Sequence, residues 1–131
     1  MNERITTAGI VRKGDLYLVG KRATAESVND GKWEFIGGKN RYGESEEETL
    51  VREFREELGV TVRPQKLVLQ LDFVNNDTLY HLKAYSAELE SEDFSLSVHS
   101  EAGFKPLDEI AGLDMVESDK KIVNFLIHGR L

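Results

Sequence analysis

Glu53, Glu56 and Glu57, in the stretch GKNRYGESEEETLVREFREELGV, have the i, i+3, i+4 spacing that places side chains on one face of a helix. Like charges that close disfavour an isolated helix by roughly 0.2–0.5 kcal/mol per pair, so something must offset the repulsion. Hard carboxylate oxygens with no lysine among them are a ligand set suited to magnesium or manganese. Glu44, Glu46, Glu47 and Glu48 precede the trio, and only Arg52 and Arg55 relieve the charge. Cation-assisted chemistry is the function class these residues indicate.

The surrounding residues must hold the trio in place. Ser45 followed by Glu48 fits a capping box, and Leu50, Val51, Phe54 and Leu58 supply an apolar stripe that ends at Gly59. At about 100° per residue the Glu53/Glu56/Glu57 arc lies beside that stripe, at the edge of the buried face where a cleft can form. Upstream, ITTAGIVRKGDLYLVGKR reads as two strands joined by a tight turn at Lys13-Gly14-Asp15. In the second, Leu16, Leu18 and Gly20 alternate with Tyr17, Val19 and Lys21, which predicts one better-buried face. Residues 23–32 read as a loop, and Trp33-Glu34-Phe35-Ile36 as a short strand running into Gly37-Gly38.

Downstream, LVLQLDFV and TLYHLKAYSAEL form two longer strands with Asn75-Asn76-Asp77 as their turn. Residues 90–100 read as an acidic loop with a short extended piece over 94–98. Residues 102–106 form a strand, and residues 107–110 a helical turn. Ser118 is placed to cap a final helix that turns Ile122, Val123, Phe125 and Leu126 to the core. Strands first, one long helix in the middle and another at the end give an α+β layer structure, expected to be a single domain over residues 1–131.

Composition narrows the partners. The net charge of −7 argues against polymeric nucleic acid and anionic membranes, while the local acidic patch, once neutralised by metal, can still receive a polyanion. The absence of cysteine excludes disulfides, thiolate nucleophiles and sulfur-ligated zinc. No signal-peptide core and no membrane-length apolar run is visible, so the cytoplasm is the expected compartment. His81, His99 and His128 sit on different elements and read as ordinary surface or core histidines.

Gly38, Glu44, Arg52-Glu53-Phe54, Glu56-Glu57 and Gly59-Val60 fill every fixed position of the Nudix box, and the chain resembles that family. The resemblance implies an α/β/α sandwich with a mixed central sheet and a loop–helix–loop catalytic element. It also implies hydrolysis of a nucleoside diphosphate linked to another group, with Mg²⁺ or Mn²⁺. By position, Glu53, Glu56 and Glu57 are the metal carboxylates, and a backbone carbonyl of Gly37 or Gly38 adds a ligand. Arg52 orients a neighbouring carboxylate, and Lys39 touches a phosphate. Glu101, in HSEAGFKPL, is a fourth ligand or the general base, a role open between it and Glu53.

Beyond the box the chain is similar to the MutT-like branch, which converts nucleoside triphosphates to monophosphate and pyrophosphate. Arg22, Phe35 and Asp119 fall where that branch surrounds the base. Two departures stand out. Ile36 replaces a frequent proline, and Asp119 stands where the oxidised-guanine-sanitising prototype has asparagine, which both donates and accepts. The alternatives are a hydrolase of another diphosphate, such as a dinucleoside polyphosphate (Tyr80 lies near a tyrosine of that subfamily), and a nucleotide-sensing module without turnover. A monomer and a homodimer are both compatible with the sequence.

Overall fold

Backbone hydrogen bonding in a computed structural model, which describes residues 1–23 and 31–129, gives a mixed sheet with helices on both faces. Most of the loop expected over residues 23–32 lies outside the described residues. The strands are β1 (Asn2–Lys13), β2 (Leu16–Arg22), β3 (Trp33–Glu34), β4 (Val62–Asn75), β5 (Thr78–Leu89) and β6 (His99–Pro106). The helices are α1 (Glu46–Leu58), α2 (Leu107–Ala111) and α3 (Glu117–His128). The sheet order is β3-β2-β1-β5-β4, with β6 on β2. β1 and β5 run parallel and the other pairs antiparallel.

Each face carries its own core. Leu50, Phe54 and Leu58 of α1 pack against Val11, Leu18, Val62 and Tyr85. Ile110 of α2 and Ile122 and Val123 of α3 pack on the opposite face against Ile10, Val19, Leu71 and Leu82. β2 is therefore covered on both sides, with Leu18 in one core and Val19 in the other, while Leu16 is exposed at the turn. The alternation predicted for β2 does not hold because helices lie over both faces.

β1 and β2 pair only next to their turn, at Arg12↔Tyr17 and Lys13↔Leu16. Beyond it they diverge, and the edge that β1 loses is taken by the segment following β3. Gly9 N–H donates to Ile36 O at 2.7 Å, Thr7 N–H to Gly38 O at 2.8 Å, and Asn40 N–H to Ile5 O at 2.9 Å. The strand expected over Trp33–Ile36 thus ends at Glu34, because Phe35 and Ile36 leave β2 and cross to β1. This crossing carries Gly37-Gly38 alongside α1.

Three smaller expectations also change. The long strand after α1 starts at Val62, ahead of Pro64. The extended piece expected over residues 94–98 is not a strand; Ser95 N–H donates to Leu58 O at 2.9 Å and the Ser97 hydroxyl to Glu56 O at 2.8 Å, so the segment binds carbonyls at the end of α1. Ser118 does not cap α3, whose N-cap is Val116, since its hydroxyl donates to Asp119 Oδ1 at 3.3 Å. The turn at Asn76 and Asp77 forms as expected, both residues with positive φ, in the register Asn75↔Thr78.

Candidate active site

The loop before α1 is locked to the helix by Glu44. Its carboxylate accepts from Arg52 Nε at 2.6 Å, Arg52 Nη2 at 3.0 Å, the Thr49 hydroxyl at 3.0 Å and Arg41 N–H at 3.0 Å. The Arg52 guanidinium, helped by Arg41 N–H and the Thr49 hydroxyl, holds the Glu44 carboxyl down at about 2. Ser45 and Glu48 close the expected capping box. Arg52 also donates to Glu53 Oε1 at 2.7 Å, Glu56 Oε2 at 3.3 Å and Lys39 O at 3.0 Å. Five contacts match the five N–H donors of a guanidinium, a pattern an ammonium cannot reproduce.

Glu53, Glu56 and Glu57 line one cavity of about 470 Å³ together with Gly37 and Gly38. The Glu53 carboxyl lies so close to Gly38 that a Cβ there would meet it at 2.4 Å, so a side chain at this position would displace it. Glu57 is buried and its Oε2 has no hydrogen-bond partner among the described residues. Burial first, then hydrogen bonding with Glu53 and the charges of Glu34 and Glu53, push its carboxyl well above the usual range. A buried, unpartnered carboxylate oxygen among other hard oxygen donors fits a divalent cation, which would satisfy the atom and neutralise the charge. Arg4, Arg22, Lys39 and Arg41 line the same cavity, so cationic groups stand opposite the acids.

A second cavity, of about 580 Å³, shares Arg22, Gly37, Gly38 and Lys39 with the first. Its wall includes Phe35, Asp119 and the stacked pair Phe73–Tyr80, whose ring centroids are 5.1 Å apart. Lys39 Nζ sits 5.6 Å from the Tyr80 ring centroid. Phe35 is at once wall and core, and its N–H donates to the buried Asp119 Oδ2 at 2.8 Å. Burial, followed by the charge of Glu34, raises the Asp119 carboxyl to about 7, against the opposing pull of Phe35 N–H and Ser118.

A NUDIX domain model matches residues 3–125. The chain belongs to the Nudix family. It is similar to the CTP pyrophosphohydrolase of Escherichia coli K12, 36% identical over 78 residues that cover 60% of this chain and 57% of that protein. It is also similar to the 8-oxo-dGTP diphosphatase of the same organism, 36% identical over 67 residues, which make up 50% of each chain. The matched stretch thus spans only about half the length of these curated relatives. The crystal structure of the MutT protein from Methanosarcina mazei Go1 superposes with a TM-score of 0.85, covering 98% of this chain and 95% of that one at 23% identity, a likeness of fold.

In this Nudix domain the sequence-derived residues separate into two groups. Gly37, Gly38, Glu53, Glu56 and Glu57 meet in one cavity, Arg22, Phe35, Lys39 and Asp119 in the adjoining one, and Arg52 supports the first from behind. Glu101 stands apart. It is exposed on β6 opposite Lys21 and lines neither cavity. Sequence reasoning did not single out Glu34 and His99, whose hydrogen bond at 2.9 Å lies next to Glu57. It used Glu44 only as a motif position, although that residue's place as the one fixed acid ahead of the helix was a usable signal.

Proposed function

We propose that this protein is a divalent-cation-dependent nucleoside triphosphate pyrophosphohydrolase, releasing a nucleoside monophosphate and pyrophosphate. The observation that carries the reading is the junction of the two cavities. An acid cluster fit for a cation adjoins an aromatic-walled cavity of nucleoside size, with Arg22 and Lys39 common to both. Glu53, Glu56, Glu57 and a carbonyl of Gly37 or Gly38 would hold Mg²⁺ or Mn²⁺, and the bound cation supplies charge neutralisation at the phosphate oxygens. Lys39 and Arg22 bind and orient the phosphate chain. Arg52 holds Glu53 in place, and Glu53 takes the proton of the attacking water, a task for which it is better placed than the exposed Glu101.

The relatives' names point to a pyrimidine and an oxidised purine triphosphate, and Asp119 bears on that choice. With its carboxyl raised to about 7, a fraction near neutral pH keeps its proton and can donate as well as accept, as asparagine does. A second reading, hydrolysis of a dinucleoside polyphosphate, draws on Tyr80, which stacks on Phe73 in the cavity wall.

The test is a panel of canonical and oxidised nucleoside triphosphates and dinucleoside polyphosphates, assayed for pyrophosphate and monophosphate with Mg²⁺ or Mn²⁺. Turnover of triphosphates that is lost in the Glu56→Gln/Glu57→Gln double variant supports the proposal. Pyrophosphate release that survives in that variant refutes the metal assignment. Tight binding without turnover in either cation would identify a sensing module instead.

A further inference from the structure

The residue that the mechanism above leaves unused is His99. Its side chain has 0% exposure, and its Nε2 faces two carboxylates. Nε2 lies 2.9 Å from Glu34 Oε2 and 3.7 Å from Glu57 Oε1. Glu34 Oε2 in turn accepts from Arg22 Nη1 at 3.0 Å. Four elements converge here: β6 brings His99, β2 brings Arg22, β3 brings Glu34, and α1 brings Glu57. The sheet makes room for the ring at Gly20, where a Cβ would come within 2.8 Å of His99 Cδ2.

Stability alone does not account for an imidazole at this point. Its Nδ1 is buried with no hydrogen-bond partner among the described residues, a penalty an apolar side chain of similar shape would avoid. The ligand atoms of Glu34, Glu57 and His99 lie within 4.8 Å of one another, close enough for an ion to be considered among them. The 2.9 Å separation of Nε2 from Glu34 is also a hydrogen-bond length, and one hydrogen shared between the two atoms accounts for the contact. That hydrogen holds Glu34 beside Glu57 although both are acids.

We propose that His99 is a positioning residue that ties the cation carboxylate Glu57 to the Glu34–Arg22 pair at the mouth of the nucleotide cavity. The proposal rests on the cation assignment of Glu57 made above. Through Nε2–H, His99 fixes the Glu34 carboxylate, and Glu34 fixes Arg22. Glu57 Oε1, 3.7 Å from Nε2 and not hydrogen-bonded to it, packs against the group so held, which restricts how its carboxyl can turn while Oε2 is left for the cation. Supporting residues that orient a ligand carboxylate typically change metal affinity by roughly 10–100-fold when removed.

The test is Mn²⁺ binding to the nucleotide-free protein, read as free Mn²⁺ by electron paramagnetic resonance. Three variants are compared with the wild type. In His99→Gln the side-chain amide takes the place of Nε2, whereas in His99→Asn it takes the place of Nδ1 and falls short of Glu34. His99→Asn is expected to weaken Mn²⁺ binding about tenfold or more, and His99→Gln to stay within about threefold of wild type. Far-UV circular dichroism confirms that both are folded. Equal affinities for the two variants, whether both native or both lost, would overturn the positioning role, since the Nε2 donor would then not matter. Glu57→Gln separates this from the underlying reading. If it also binds Mn²⁺ as the wild type does, the cation assignment itself falls; if it loses Mn²⁺ while His99→Asn keeps it, only the role of His99 falls.

Discussion

Replacing Asp119 by asparagine removes the charge from a buried carboxyl while keeping its shape and an oxygen to accept the Phe35 N–H, now held at 2.8 Å. Burial and the charge of Glu34 raise this carboxyl from 3.8 to about 7. In the unfolded chain it releases its proton near the ordinary aspartate value. Between those limits the folded state binds more protons than the unfolded one, so this group makes stability fall as pH rises from about 4 to about 7. Above the folded value the loss is complete. At about 1.36 kcal/mol per unit the full effect is on the order of 4 kcal/mol, an upper figure because the protein can relax around the charge. Asp119→Asn has no such slope. Urea unfolding of both proteins in chelator, from pH 5 to 8, is therefore expected to show the variant gaining on the wild type by about 2 kcal/mol or more across that interval. Parallel stability curves would refute the reasoning, since they would mean that Asp119 titrates alike in both states.

Two further perturbations address the acid cluster. Arg52→Lys keeps the charge but cannot serve Glu44, Glu53, Glu56 and Lys39 O together, so turnover is expected to fall roughly tenfold or more, with a loss of about 1–3 kcal/mol in urea unfolding. A variant that matches the wild type in both would show that the fork is dispensable. Glu57→Gln replaces a buried carboxyl that burial, Glu53 and Glu34 keep protonated far above the pH at which the unfolded chain releases the proton, so the folded state loses stability as pH rises toward 8 and the variant does not. In chelator at pH 8 it is expected to unfold at a higher temperature than the wild type. Added Mg²⁺ or Mn²⁺ is expected to raise the wild-type midpoint and leave the variant's unchanged, as thermal scans with and without the cation would reveal.

What was legible in the sequence was local. The capping box of Ser45 and Glu48, the apolar stripe through Leu50, Phe54 and Leu58, the stop at Gly59 and the turn at Asn76-Asp77 all depend on neighbours within a few residues. Their periodicity and turn chemistry are therefore written into consecutive positions. The same locality put Glu53, Glu56 and Glu57 on one helical face, and with Arg52 beside them the acid cluster was readable before any fold was known.

Contacts far apart in sequence decided the rest. That β2 is buried on both faces, that the segment after β3 abandons β2 to take the free edge of β1, and that α3 starts at Glu117 without help from Ser118 all follow from how layers pack. The clearest case is β6. Glu101 was a candidate fourth ligand or base through its resemblance to a later acidic position of the family; it is exposed on β6, whereas His99 two positions earlier is enclosed beside Glu34 and Glu57. Which of two nearby polar residues enters a site depends on strand register and on the irregularity between Lys21 and Arg22, and these are set by the whole sheet. The sequence by itself determined that carboxylates gather on one face of α1; only the tertiary structure decided which groups stand behind them, because those groups arrive from separate strands.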